Sequence, residues 1–528
     1  MELCGGNLVD GEWRSEGKVR FFGVNPATGV SLAPEFAEAT ASEVDCALIA
    51  AERAFRSYSL SAPKVRAAFL RGIADEIVAL GAELLDRASE ETALPIARLE
   101  GERGRTTSQL RMFADYLDEG SWVDARIDTG DPGRQPLPKP DVRRMLIPLG
   151  PVVVFGASNF PLAFSTAGGD TASALASGCT VVFKAHPAHP GTCELTAGAI
   201  QRAASSLGLP AGVFSLVHGW SYEVGLSLVR HPLAQAVGFT GSLRGGRALF
   251  DAAAARPDPI PVYAEMGSIN PVFLLPSAAR ERAESLAQGL AGAITMGVGQ
   301  FCTNPGVIVG VRGESTDAIA VLLAERIGGS SPGVMLYEQL ASGYGRAVAG
   351  VRAGGAEVLS PATAAVAPPR AQPTLLRVDA ARFLDDDALR QEMFGPVSML
   401  VIADDGAEME RVAEQLEGQL TATIHGTPEE LHEHSHLVEI LRRKAGRLLF
   451  NGYPTGVEVG HAMQHGGPYP ASSDSRSTSV GTSAITRFVR PVCYQNFPNA
   501  ALPEALRDAN ELGIWRLVNG AMTKDTTH

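Results

Sequence analysis

Between residues 151 and 275 the chain alternates two hydrophobic periods. Short, continuous apolar runs rich in Val and Phe (PVVVFGAS, TVVFKAH, GVFSLVHG, QAVGFTGS and PVYAEMG) mostly close on Gly, Ser or His. Helical stretches separate them: FPLAFSTAGGDTASALASG, GTCELTAGAIQRAASSLG, SYEVGLSLVRH and LRGGRALFDAAAAR. A strand without polar alternation is buried on both faces, so this order predicts a parallel sheet with helices on each side. Ligands of such sheets bind at the carboxyl ends of the strands. A second α/β block runs from about 276 to 455, from the helix ARERAESLAQGLAGAITMGVG to the run GRLLFNG. Ahead of both blocks, ASEVDCALIAAERAFRSY and APKVRAAFLRGIADEIVALGAELLDRASEET read as two amphipathic helices that pack on the first sheet.

Two segments fit neither block. Residues 121–148 are Pro-rich and read as loop; the tail from about 480 reads with them as an extension used in assembly. The Ala/Pro-rich stretch 360–373 reads as an exposed loop. A length of 528 residues calls for two or three domains. A net charge of −13 argues against a nucleic-acid partner, which needs a basic face. The N-terminus MELCGGNLVDGEW lacks the pattern of a secretory signal, and the most apolar long stretch is interrupted by Asn159, Pro161 and Asp170, so no membrane span is expected. Six scattered cysteines show neither metal spacing nor a disulfide framework, which suggests a reducing cytoplasm and no metal site.

One of those cysteines, Cys302, stands in GVGQFCTNPGVIVG, with no CxxC partner and no histidine nearby in sequence. It is either a small packed hydrophobe or a nucleophile on a tight turn. A nucleophile needs an oxyanion donor, a base and an acceptor for what leaves. Candidates end the apolar strands. Asn159 follows VVVFGAS, where it can donate to an oxyanion or cap a helix. Glu265 ends PVYAEMG; a carboxylate there is costly to bury, and a base of raised pKa is one reason to keep it. Lys184 ends TVVFKAH, and FTGSLRGG is a glycine-rich strand-to-helix turn suited to a pyrophosphate.

Together GASNFP, VVFKAHP, GFTGS, AEMGSINP, GQFCTNPG and EMFGPV resemble the aldehyde dehydrogenase superfamily in order and spacing, over nearly the whole chain. The version GASNFPLAFSTAGGDTASALASGC is similar to the NADP-linked subgroup that includes α-ketoglutaric semialdehyde and certain long-chain aldehyde dehydrogenases. The resemblance implies an α/β fold with a Rossmann-type cofactor domain (1–120 and 149–275), an α/β catalytic domain (276–455) and a small oligomerisation extension (121–148 and 480–528). It implies that Cys302 attacks the aldehyde, that Asn159 and the Cys302 amide hold the oxyanion, and that Glu265 activates the hydrolytic water. Lys184 would meet the adenosine ribose, Gly241 and Ser242 the pyrophosphate, and Glu392 and Phe394 the nicotinamide ribose and ring. It further implies a homodimer or homotetramer.

Departures from the family pattern bear on specificity. Pro187 stands where most members carry a ribose-binding Glu, with His186 and His189 beside it, which favours NADP while leaving NAD possible. An arginine frequent in the subgroup is replaced around WSYE, with Tyr222 in its place. The usual PFGG loop reads GHAMQHGGPYPASS; its His461 and His465 are given no catalytic role, since loop histidines are commonly structural or solvated. The helix after NFP carries Ala167 and Gly168 where a substrate cation would fall, so a carboxylated aldehyde must be met elsewhere. Arg105 and Gln109, one turn apart, are the candidates, with Phe160 and Phe301 lining the substrate site. Arg105 alternatively belongs to a solvated charged face with Glu102 and Arg103. The expected reaction is hydrolytic oxidation of a small carboxylated aldehyde, 2,5-dioxopentanoate first. The alternatives are a long-chain or aromatic aldehyde, a CoA-acylating enzyme, which the presence of Glu265 opposes, and a catalytically silent scaffold.

Overall fold

The protein is described here by a computed structural model over residues 2–360, 366–367 and 369–527. The five apolar runs of the first block form parallel strands, side by side in the order Val262–Glu265, Ala236–Thr240, Val152–Phe155, Val181–Lys184 and Phe214–Val217. An antiparallel N-terminal pair, Asn7–Val9 and Glu12–Arg14, completes seven strands. The chain order reverses across this sheet, and Asn159, Lys184 and Glu265 all fall at its carboxyl edge. Val152, Val153, Val181, Val182 and Phe183 are fully buried between helices on both faces, which is why these strands carry no polar alternation.

The second block is another seven-stranded sheet. Its centre is parallel: Thr374–Asp379, Val397–Ala403, Val307–Val311, Val272–Leu274, Gln419–His425 and Ala445–Phe450. Residues 121–148 are not the loop their prolines suggest. Arg126–Asp128 and Val142–Pro148 join the tail strands Val489–Gln495, Arg516–Val518 and Ala521–Thr523 in a five-stranded sheet. Of the stretch 360–373, residues 361–365 and 368 lie outside the described residues; Arg370–Ala371 pairs with Gly333–Val334.

Three expected helices are shorter or broken. Residues 62–92 form Pro63–Ala79 and Gly81–Thr92, turning at Gly81 with φ +58°. The helix before Cys302 divides into Pro276–Glu281 and Ala283–Thr295. It ends in a tight turn where Gly297 and Val298 are left-handed. The helix after Asn159 begins only at Gly169. Residues 161–168 instead fold into turns closed by Ala157 N–H to Phe164 O at 2.9 Å and Gly168 N–H to Ser165 O at 2.8 Å. Gly168 permits this, since a Cβ there would stand 2.5 Å from Ala163 O. Asn159 is therefore no helix cap, and its amide is free for other work.

His425 closes the strand Gln419–His425, almost fully buried. Burial and then the charge of Arg282 push its pKa down to about 4. Below pH 6.5 an unfolded chain takes up a proton that the folded site refuses until about pH 4, so this residue subtracts stability as pH falls through that window. Thermal unfolding followed from pH 7.5 to 4.5 is expected to show His425→Leu losing stability less steeply than wild type, by up to about 1.4 kcal/mol per pH unit.

Candidate active site

The turn of left-handed residues at 297–299 delivers Cys302 to the strand Val307–Val311. Gly299 is required there: a Cβ would lie 2.2 Å from Gly395 O. The turn is locked by Asn270, whose Nδ2 donates to Cys302 O at 2.8 Å and to Asn304 O at 3.0 Å. Burial and then the neighbouring Glu265 carboxylate push the Cys302 thiol well above the usual range, so the resting sulfur is protonated and needs a base.

Beside the sulfur stands a residue the sequence left unassigned. His465 Nε2 stands 3.5 Å from Cys302 Sγ and 3.2 Å from Glu265 Oε1, and its ring is fully buried. His461 is elsewhere, with Nδ1 at 3.2 Å from Thr482 Oγ1. The contact forms because residues 471–473 cover the free edge of the strand Val262–Glu265. Met266 N–H donates to Ala471 O at 2.8 Å, Ala264 N–H to Ser473 Oγ at 2.8 Å, and Glu265 bridges to Ser472. The loop then folds back: Thr478 Oγ1 accepts from His465 N–H at 2.9 Å, and Ser479 N–H donates to His465 O at 2.8 Å. A buried pair, Arg487 to Asp170 at 2.7 Å, pins the end of the segment.

The same contacts reverse the expectation for Glu265. Burial alone would raise its pKa, but His465 and the Ser479 hydroxyl together outweigh that and hold it below the ordinary carboxylate value. The sulfur, imidazole and carboxylate donor atoms lie within 4.8 Å of one another. Arg105 and Arg447 both bear electrostatically on the thiol, which suits a developing anion and opposes a dication. The arrangement is that of a proton-transfer triad.

Beside it Asn159 Nδ2 donates to Gln300 O at 3.0 Å, leaving a second N–H of that amide. Phe160, Phe164 and Phe301 form an aromatic wall with ring separations of 5.3 Å, flanked by Val457, Val459 and Met463. Arg105 lies over it, 5.0 Å from the Phe164 ring and 5.9 Å from Phe160. Its Nε and Nη2 are buried without a hydrogen-bond partner. The solvated charged face is thus overturned: Glu102 is buried and accepts from Leu162 and Ala163 N–H, because the helix Ile96–Glu119 turns this stripe inward. Gln109 is buried as well, but its side chain packs against Gly169.

The remaining candidates gather at the edge of the first sheet. Lys184 Nζ donates to Gly219 O at 2.6 Å, and burial draws its pKa down to about 8. The stacked rings of His186 and His189, 5.4 Å apart, flank Pro187. Ser242 caps the helix Leu243–Ala254 through Gly245 N–H at 3.2 Å. Gly241 and Gly245 pack so tightly on Phe239 that a Cβ at either would come within 3.0 Å of its ring, which leaves a bare backbone cradle at a helix N-terminus. Glu392 reaches across to Ser268 N–H at 3.4 Å, and burial pushes its pKa up to about 7. Phe394 is half-buried next to it. Tyr222 is exposed. These groups suit a dinucleotide lying along the strand ends.

A half-buried cysteine beside an imidazole and a carboxylate, with an amide donor and a bare backbone cradle at the sheet edge, suits the oxidation of an aldehyde. The pattern of the aldehyde dehydrogenase family matches residues 13–488, and the chain belongs to that family, whose members use NAD(P). It is 50% identical to alpha-ketoglutaric semialdehyde dehydrogenase 2 of Azospirillum brasilense over 529 residues, 98% of this chain and 99% of that protein. It is 49% identical to the alpha-ketoglutaric semialdehyde dehydrogenase of Acinetobacter baylyi (strain ATCC 33305 / BD413 / ADP1), covering 93% of each. Among solved structures, a mutant aldehyde dehydrogenase C of Pseudomonas syringae, complexed with NAD+ and octanal, matches with a TM-score of 0.79. It is 25% identical, over 94% of this chain and 98% of that one. Among the described residues no helix is long and apolar enough to cross a membrane.

Removing the imidazole isolates its role. His465→Ala is expected to slow alkylation of Cys302 by iodoacetamide about 10- to 100-fold at pH 7, the lower part of the range for a positioned base. The gap should narrow as pH rises toward the raised pKa of the buried thiol, where thiolate forms without a base. A rate equal to wild type at pH 7 would remove His465 from the proton path.

Proposed function

We propose that this enzyme oxidises 2,5-dioxopentanoate, the semialdehyde of 2-oxoglutarate, to 2-oxoglutarate, with NADP preferred over NAD. The observation that carries the substrate class is Arg105, a cation beside the nucleophile with two buried nitrogens that no protein group satisfies. A carboxylate at the far end of a short aldehyde satisfies them, and the two semialdehyde dehydrogenases similar along nearly the whole chain favour the same substrate. The preference for NADP rests on Pro187 in place of an acidic group that would repel a 2′-phosphate, with Lys184 and His186 at hand.

Cys302 passes its proton to His465 as sulfur attacks the aldehyde carbon. The oxyanion of the thiohemiacetal is met by the second N–H of Asn159 and by the Cys302 amide. The nicotinamide, when bound against Glu392 and Phe394, supplies the hydride acceptor. In the second half Glu265, kept ionised by His465 and Ser479, takes a proton from the water that attacks the thioester, and the acid leaves as sulfur regains its proton. Lys184 holds the adenosine ribose, and Gly241 and Ser242 take the pyrophosphate.

We further read the enzyme as a homodimer or homotetramer. The strands Ala445–Phe450 and Val489–Gln495 each lie at the end of their sheet, and the first exposes Leu448 and Phe450.

Cys302→Ala should abolish turnover while NADP still binds; turnover near wild type would overturn the mechanism. Arg105→Ala should lower kcat/KM for 2,5-dioxopentanoate about 10- to 100-fold, the loss of one charge-assisted pair of about 1.5–3 kcal/mol. The same variant should leave hexanal oxidation nearly unchanged. Equal losses on both aldehydes would make Arg105 structural and turn the aromatic wall toward long-chain substrates.

A further inference from the structure

The oxyanion donor and the nucleophile sit on separate loops, and one side chain touches both. Arg98, on the first turn of the helix Ile96–Glu119, places its guanidinium carbon 5.1 Å from the centre of the Phe160 ring and 4.9 Å from that of Phe301. Phe160 follows Asn159; Phe301 precedes Cys302. The two rings meet edge to face at 5.3 Å beside the cation. Arg98 Nη2 donates to Asn159 O at 2.8 Å. The turn leading to Cys302 closes on the same guanidinium, since a Cβ at Gly297 would stand 2.8 Å from Nη1.

The other side of the Asn159 loop is held independently. His189 Nε2 lies 2.9 Å from Ala157 O, and His189 Nδ1 lies 3.3 Å from Cys193 Sγ. A carbonyl oxygen only accepts, so Nε2 carries a hydrogen toward Ala157. Ser158 is thus flanked by two clamped carbonyls, at 157 and 159. One turn along the same helix, Glu102 takes the amides of Leu162 and Ala163 at 2.8 and 3.0 Å.

We propose that Arg98 is a positioning residue that sets where the Asn159 amide stands relative to Cys302, with His189 bracing the far side of the loop. The inference rests on the reading of Asn159 as the oxyanion donor. An oxyanion donor acts only at hydrogen-bond distance from the place the oxygen will occupy, and displacements near 1 Å cost about a hundredfold in rate. A guanidinium wedged between two rings and bonded to the donor's own carbonyl fixes that separation. Arg98 reaches none of the reacting atoms and acts through Asn159.

The test is a double-mutant cycle between Arg98→Met and Asn159→Ala in the full-length enzyme, with KM, kcat, cofactor affinity, melting temperature and iodoacetamide alkylation of Cys302 measured for each. Arg98→Met should lower kcat about 10- to 100-fold. KM, cofactor affinity and the alkylation rate should hold, since alkylation develops no oxyanion. In the Asn159→Ala background the same substitution should cost less than about twofold, because the donor amide it positions is gone. Arg98→Lys, which keeps a charge and a donor, should recover part of the loss and carries the cycle if the Met variant does not fold. Equal fold losses in both backgrounds would overturn the role of Arg98 while leaving that of Asn159 intact. An Asn159→Ala enzyme with wild-type kcat would overturn the oxyanion reading itself, and the inference with it.

Discussion

Burial keeps the sulfur of Cys302 protonated and would neutralise Glu265, and the imidazole of His465 stands between the two, at 3.5 and 3.2 Å. Each group is tolerable in that pocket because of the others. The carboxylate stays ionised through the imidazole and the Ser479 hydroxyl, and the imidazole finds an anion. An unpaired buried charge is too costly to keep, so the three must be assembled together. Much of the surrounding architecture serves that assembly. The strand edge covered by residues 471–473, the Thr478 cap on the His465 amide and the buried Arg487–Asp170 pair all hold one loop against one sheet.

The opposite wall is organised by one helix. Ile96–Glu119 presents Arg98, Glu102 and Arg105 at helical spacing toward residues 157–169, and each engages that segment differently. Arg98 bonds a carbonyl, Glu102 accepts two amides, and Arg105 lies over the Phe164 ring with nitrogens to spare. The segment itself has little regular structure, so charged groups from the helix supply the hydrogen bonds that a continuous helix would have supplied to itself.

Much of this was legible in the chain. Apolar runs without alternation gave the parallel strands, and the residues at their ends (Asn159, Lys184, Glu265) are the ones the sheet gathers at its carboxyl edge. Local signals failed where tertiary contacts outweighed them. Residues 160–178 have helical composition, yet bonds from Ala157 N–H to Phe164 O and from Gly168 N–H to Ser165 O fold the first half into turns. His465 lies 163 positions from Cys302, and nothing in its own neighbourhood distinguishes it from a solvated loop histidine. The polarity of Glu102 suggested solvent exposure, because its partners are backbone amides some sixty residues away that leave no mark in the sequence. Strand pairing between 121–148 and the tail was hidden for the same reason: its partners are separated by most of the chain.

The position of His465 late in the chain also orders events in time. Synthesis runs from the N-terminus, and domains fold as they emerge. The turn bearing Cys302, its Asn270 lock and the early strands of the second sheet are all made before the loop that carries the imidazole. The surroundings of the sulfur are therefore complete only once the segment carrying His465 has been made and has closed against the first sheet.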